Sequence, residues 1–255
     1  MHRLAAALLC LLAFAPSAAA LVGGASPAAP ATARHVVLIV GSRGTFCTGA
    51  AIARDLVLTA AHCTLPGADY KLMEFDAAHQ PVLKDVARLA RHPQFDLNTL
   101  LAHRATADVA LLKLAAPLGA GFAPAPLPPA ARAVAVGDAF TIAGYGVAVR
   151  GDGKCSGRLR AATLVATGQP GTLQIRLVDA QAKGERAGLG ACTGDSGAPV
   201  FADLGNGSGI VGVVSWSTGP KLAGGCGGLT GVTPIELYRG WIIEQARKMG
   251  RAIDP

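Results

Sequence analysis

The chain has 255 residues, 51% of them hydrophobic and 15% charged, with a formal charge of +7. Its basic residues are scattered, as in Lys71, Lys84, Arg88, Arg91, Arg158, Arg160 and Arg176. There is no basic stripe interleaved with aromatics, no zinc-finger spacing and no phosphate-cradling glycine loop, which excludes nucleic-acid binding as the main use of the charge.

Residues 1–20 read as an export signal. Arg3 supplies the positive start, Leu4 to Phe14 an apolar run, and Ala18-Ala-Ala20 the small side chains of a cleavage site. The run is too short to span a bilayer, and Cys10 follows Leu9 instead of the small residue a lipid-anchoring signal needs. No stable membrane anchor is therefore expected, and the expected location is secreted or periplasmic. Removal of the signal leaves 235 residues (255 less 20), from Leu21 to Pro255, and a charge of +6 (+7 less Arg3). That length suits one large or two small hydrophobic cores.

Short strands separated by turns dominate the rest. Val36 to Val40 is a compact β-branched run, Gly49 to Ile52 and Leu56 to Thr59 continue the pattern, and Asp108 to Leu114 is apolar up to Lys113. Five prolines between Pro117 and Pro129 then break it, as a crossover between two lobes would. The expected division is an N-terminal lobe over 21–130 and a C-terminal lobe over 131–255. Strands in the second lobe are expected at Ala139–Ala143, Arg160–Ala166, Leu173–Val178, Pro199–Ala202 and Gly209–Trp216. Only about Ile235 to Met249 reads as helix, with Leu237, Trp241 and Ile242 on its buried face. The predicted class is all-β, two closed barrels and a terminal helix.

Five cysteines remain after the signal: Cys47, Cys63, Cys155, Cys192 and Cys226. Export permits disulfides, and an odd count leaves at least one thiol without a partner in the chain. The histidines fall at no zinc-ligand spacing, so no metal is expected.

Three distant residues could carry chemistry. Ser196 lies in Gly194-Asp-Ser-Gly197, whose glycines permit a tight turn that exposes a hydroxyl and aims backbone N–H groups at one point; an ordinary surface turn fits the same letters. His62 follows the strand Leu56–Thr59 and offers one nitrogen to accept a proton and another to be oriented; a structural histidine is the alternative. Asp108 opens an apolar strand, where a buried carboxylate needs a partner; a strand-start cap is the alternative.

Taken with Leu21-Val-Gly-Gly24, Leu58-Thr-Ala-Ala-His-Cys63, Asp108-Val-Ala-Leu-Leu-Lys-Leu114, Cys192 to Val200 and Ser215-Trp216, the chain resembles the chymotrypsin/trypsin family of serine proteases (S1 clan) over nearly all of Leu21 to Met249. The resemblance implies two packed six-stranded antiparallel β-barrels with the active site between them. It implies a secreted serine endopeptidase working through an acyl-enzyme: Ser196 as nucleophile, His62 as base, Asp108 orienting His62, and Ser215 supporting Asp108. Gly194 and Ser196 would supply the oxyanion hole. Disulfides Cys47–Cys63 and Cys192–Cys226 are implied, leaving Cys155 unmatched, with burial as a thiol the preferred fate. Leu21 resembles the N-terminus of an activated zymogen, whose ammonium would pair with Asp195 as a latch. Because it follows Ala18-Ala-Ala20 directly, signal removal itself is expected to create it.

The resemblance places the specificity pocket at Gly190, Ala191, Ser215, Trp216, Ser217 and Gly231. Gly190 stands where trypsin carries an acid, so cleavage after Lys or Arg is not expected. An open apolar pocket for Phe, Tyr, Leu or Met is expected, with small aliphatic residues the second choice because Ser217 replaces a glycine. Ala198 departs from the common Gly-Asp-Ser-Gly-Gly-Pro form. No cofactor and no calcium loop are expected; the implied partners are a polypeptide substrate and, for such an enzyme, a protein inhibitor. A noncatalytic binding protein on the same fold and a serine esterase are the alternatives.

Overall fold

The computed structural model describes residues 21–253 except 77, 129–132, 150–157, 168–171 and 206. The segment read as an export signal and Cys155 lie outside the described residues.

Six strands close the first barrel: β2 (Val36–Gly41), β3 (Phe46–Ala53), β4 (Leu56–Thr59), β5 (Tyr70–Phe75), β6 (Pro81–Arg91) and β7 (Ala110–Leu114), hydrogen-bonded in the order β2-β3-β4-β7-β6-β5. Six more form the second: β8 (Ala139–Gly144), β9 (Arg160–Ala166), β10 (Ile175–Val178), β11 (Pro199–Asp203), β12 (Ser208–Ser217) and β13 (Thr230–Pro234). Their order is β9-β10-β13-β12-β11-β8, and β8 pairs back to β9 to complete the ring. Closure leaves neither sheet a free edge along its full length, which suits a chain whose strands are only four to eleven residues long.

The strands read from alternation and β-branching are present within a few residues of the expected bounds. Strands β5, β6 and β13 are not evident in the sequence. The first two mix Lys71, Glu74, Lys84, Asp85 and Arg88 with apolar residues, and much of β6 is exposed, so no clean inward stripe marks them. The terminal helix also differs. Residues Ile235–Tyr238 form a 3-10 turn, and of this segment only Arg239–Lys248 are α-helical. Three residues per turn put Ile235 into the core and rotate Leu237 outward, where it is 42% exposed; Ile242 and Ala246 are buried on the α-helix.

Each barrel has its own apolar interior. Val37, Ile39, Val57, Leu72, Leu112 and Leu114 fill the first; Phe140, Ile142, Leu164, Leu177, Val200 and Val232 fill the second. A third cluster occupies the seam, joining Leu56, Leu58 and Leu111 to Phe201, Ile210, Val213, Ile242 and Ala246. Burying each such side chain contributes about 1.5–3 kcal/mol, so the seam is a core in its own right and not a wet contact.

Both ends of the described chain cross over. Leu21 and Ala25 pack in the second barrel, where the short β1 (Ser26–Pro27) adds to β9. At the other end Arg251 and Lys113 both pair with Asp55 in the β3–β4 turn, holding its carboxyl down at about 2, and Arg88 Nη1 donates to Lys248 O at 3.0 Å. The proline-rich crossover threads between the barrels: Ala125 N donates to Ala51 O (2.7 Å) and Ile210 N to Pro126 O (3.0 Å).

Candidate active site

Strands β4 and β7 are antiparallel neighbours, with Thr59 opposite Ala110. Residues just after β4 and just before β7 must therefore meet. The chain leaves β4 into a 3-10 turn, Ala61–Thr64, fastened by Thr64 Oγ1 to Ala61 O (2.8 Å), and this turn carries His62. Asp108 is fully buried two residues ahead of β7. Its Oδ1 accepts the His62 backbone N–H (2.9 Å), and its Oδ2 lies 2.8 Å from His62 Nδ1. A carboxylate only accepts, so Nδ1 carries the proton and Nε2 of the neutral ring is left as an acceptor. Ser215, on β12 of the other barrel, donates its hydroxyl to Asp108 Oδ2 at 2.6 Å.

Ser196 sits in the turn before β11, closed by Asp195 N to Cys192 O and Ala198 N to Asp195 O, each 2.9 Å. Gly194 and Gly197 have φ of +93° and +76°, values that side chains resist, and a Cβ at Gly194 would enter the Phe46 ring. The turn crosses the seam to the His62 segment. Ser196 O accepts from Thr48 N at 2.8 Å and lies 3.5 Å from Cys63 Sγ, itself 4.0 Å from His62 Nε2. Among the described residues Ser196 Oγ has no hydrogen-bond partner, so the serine and histidine are neighbours without a formed bond between them; such bonds commonly tighten only with substrate present. The backbone N–H groups of Gly194 and Ser196 likewise have no acceptor among the described residues.

The neighbouring Asp195 is also fully buried. Its oxygens accept from Gly146 N (2.9 Å) and Cys192 N (3.0 Å), but it has no cationic partner among the described residues, and burial pushes its pKa up to about 7. Gly144 and Gly146 are glycines because a Cβ at either would collide with this carboxylate. Leu21 is buried in the same barrel, and Val22 bridges to Gly190.

Two disulfides frame these loops: Cys47–Cys63 beside His62 and Cys192–Cys226 across the pocket region, with Cα separations of 6.1 and 5.0 Å. Cys47, His62 and Cys63 are close enough to suggest a metal cluster, but both sulfurs are committed to the disulfide and offer no thiolate.

The pocket residues do not all face one space. Gly190 is pressed against Gly227, where an added Cβ would lie 3.0 Å from its Cα, and Ala191 is 1% exposed. Ser215, Trp216 and Ser217 end β12, but Gly231 lies under the Trp216 indole, which a Cβ there would strike. The indole also stacks on the His103 ring, at 4.9 Å and 19°.

Sequence reasoning also missed Thr48, a fully buried polar residue whose hydroxyl donates to Gly194 O (2.8 Å) and accepts from Tyr145 N (3.0 Å), bracing the serine turn. A threonine between Cys47 and Gly49 in an otherwise apolar strand is the one signal of it. His92 supports the acid strand from behind: its N–H donates to Val109 O at 3.0 Å, and its ring meets Tyr238 and Trp241 at 5.0 Å each.

Two barrels with a buried aspartate, a histidine and a serine gathered at their seam define the class of two-barrel serine hydrolases. A trypsin family model matches residues 21–242, and the chain belongs to the trypsin family. It is 30% identical to trypsin I-P1 of Gallus gallus, over 87% of each chain, and 29% identical to a trypsin of Phaedon cochleariae, over 78% of each. Among solved structures, human heparin binding protein superposes with a TM-score of 0.67 at 26% identity, covering 86% of this chain and 94% of its own.

Proposed function

We propose that this protein is a secreted serine endopeptidase. The observation that carries the reading is the Asp108–His62 pair standing beside Ser196, with the Gly194 and Ser196 N–H groups left unbonded. His62 Nε2 takes the Ser196 proton as the hydroxyl attacks a peptide carbonyl, and then hands it to the leaving amine; Asp108 holds the ring and stabilises its cation. The two N–H groups hold the oxyanion, each of them contributing about 2.7–4 kcal/mol in related hydrolases. Water then releases the acyl group.

The substrate chain is a polypeptide laid along β12. Past Val214, whose N–H donates to Ala198 O at 2.9 Å, that strand has a strand partner only on its β13 side among the described residues, so Ser215–Ser217 offer an edge beside Ser196. Gly190 leaves no carboxylate to meet a basic side chain, which favours apolar residues before the cleaved bond. Export and cleavage after Ala20 supply the ammonium of Leu21 as the partner that Asp195 lacks. Among the described residues no helix is long and apolar enough to cross a membrane.

Covalent labelling with a small fluorophosphonate probe tests this. Wild type should label stoichiometrically and Ser196→Ala not at all. Correctly processed wild type that fails to label would instead favour a noncatalytic binding protein on this fold. Cleavage of ester but not peptide substrates would reassign it as an esterase. N-terminal sequencing of secreted active protein should read Leu-Val-Gly-Gly, and any other start would sink the latch.

A further inference from the structure

We infer that the hydroxyl of Thr48 is a positioning group that keeps the Gly194 and Ser196 N–H groups converging on one point. The inference rests on the endopeptidase reading and adds to it a residue of the opposite barrel that is buried away from substrate.

Every carbonyl from Cys192 to Ser196 has a donor. Asp195 N holds Cys192 O (2.9 Å), Val147 N holds Thr193 O (2.8 Å), Ala198 N holds Asp195 O (2.9 Å) and Thr48 N holds Ser196 O (2.8 Å). These are backbone bonds, which a change of side chain other than to proline leaves in place. The remaining one, to Gly194 O, comes from a side chain, with Thr48 Oγ1 donating at 2.8 Å.

That bond sits at the hinge of the turn. A peptide unit is planar, so a carbonyl that is held also fixes the N–H of the next residue. Val147 thereby aims the Gly194 N–H, and Ala198 aims the Ser196 N–H. The Gly194–Asp195 unit joins these two planes, and its orientation sets the angle at which the donors meet. It pivots on Gly194, at φ +93°, where no side chain restrains the backbone. Asp195 N secures one end of the unit through Cys192 O, and Thr48 Oγ1 secures the other.

Thr48 is itself held from outside the turn. Its carbonyl accepts from Thr59 Oγ1 at 2.8 Å, and its hydroxyl accepts from Tyr145 N at 3.0 Å. A hydroxyl has one proton, and here that proton is committed to Gly194 O. The side chain is fully buried and stiffened by β-branching, so it has no second position to take. Without the hydroxyl, Gly194 O is buried with no donor among the described residues, and the hinge is held at one end only.

Steady-state kinetics on the secreted, processed protein test this, with active sites counted by fluorophosphonate labelling carried to completion. Thr48→Val keeps the branched shape and loses the hydroxyl; Thr48→Ala loses it without overfilling the site. Per titrated site each should lower kcat on peptide substrates by about 10- to 30-fold with KM unchanged, short of the loss of about 10²–10³ that follows removal of a whole donor. Thr48→Ser retains the hydroxyl and should keep kcat within about threefold of wild type. A peptide boronic acid, whose tetrahedral adduct places an oxygen where the oxyanion forms, should bind the Val and Ala variants more weakly by the same factor as kcat. Unchanged kcat per site in both variants overturns the inference and leaves the endopeptidase reading standing. So does a rise in KM alone, or a Thr48→Ser variant as slow as Thr48→Val. Failure of Thr48→Val and Thr48→Ala alike to give titratable protein also overturns it, by assigning the hydroxyl to folding alone. Wild type that does not titrate overturns both.

Discussion

Asp108 and Asp195 are both fully buried carboxylates, and they are held in opposite ways. Asp108 has three donors, two of them from the histidine it orients and one from Ser215 across the seam. Asp195 has two backbone donors and no cation among the described residues, and burial raises its pKa to about 7. The first is a finished site, complete as soon as the barrels pack. On the proposed reading, the second is a site prepared for the ammonium that cleavage after Ala20 would free. The triad would then be built into the fold, while the turn that carries Ser196 would wait on a separate electrostatic event.

The sharpest break of this contrast is at the finished site. Asp108→Asn leaves the shape intact but presents an amide to His62 Nδ1, favouring the wrong tautomer; kcat should fall by about 10⁴-fold, the size established for Ser-His-Asp triads. Stopped assays on titrated enzyme measure it. A fall of less than tenfold would show that His62 is not oriented from this side.

At the waiting site the same chemical change should have opposite signs in two forms of the chain. In protein beginning at Leu21, Asp195→Asn strands a buried ammonium, and stability should drop by about 3–5 kcal/mol with loss of activity. In protein beginning at Ala18, which keeps Leu21 as an amide, the substitution removes an uncompensated carboxylate. Above pH 7 it should be neutral or stabilising, even after losing one backbone bond of about 1 kcal/mol. Equal destabilisation of both forms would refute the latch.

The pH dependence follows from the same group. Asp195 is raised in the folded uncut chain, to about 7 from 3.8, so the folded state holds its proton more tightly than the unfolded state between those values. The contribution of Asp195 to the stability of the Ala18 form is therefore greatest below about pH 4, falls by about 4 kcal/mol as pH rises to 7, and levels off above. Protein beginning at Leu21 should lack this fall, because the ammonium stabilises the ionised carboxyl. Urea melts of both forms from pH 4 to 8 read the difference directly.

The two sites also differ in how much of them could be seen in the residues alone. His62, Asp108 and Ser196 stand in distinctive segments, and strands such as Leu56–Thr59 and Arg160–Ala166 announce themselves by alternation and branching. What was not legible depends on approach between distant segments. Gly144 and Gly146 look like loop glycines until the Asp195 carboxylate is seen against them, and Thr48 is an ordinary strand threonine until it reaches across 146 positions to Gly194. Strands β5 and β6 were hidden for another reason. A barrel wall facing water needs no continuous apolar stripe, so hydrogen bonding to β2 and β7 carries what hydrophobic patterning would normally reveal.

The smallest effect concerns the one donor to Asp108 that comes from the second barrel. Ser215→Ala removes the hydroxyl at 2.6 Å from Oδ2 but leaves both His62 bonds in place. A hydrogen bond to a buried charged group is worth about 1.5–3 kcal/mol, and Asp108 keeps two others, so stability should fall by about 1–2 kcal/mol. The remaining partner of Oδ2 is the ring nitrogen itself. With Ser215 gone, the two His62 bonds alone hold the carboxylate, and the ring it orients is held less firmly. The plateau value of kcat/KM should fall by about tenfold or less. Ser215→Thr, which retains the hydroxyl, should restore the rate if its extra methyl is accommodated. An alanine variant with unchanged kcat/KM would mean that Ser215 only packs the seam, and that the site is completed by the first barrel alone.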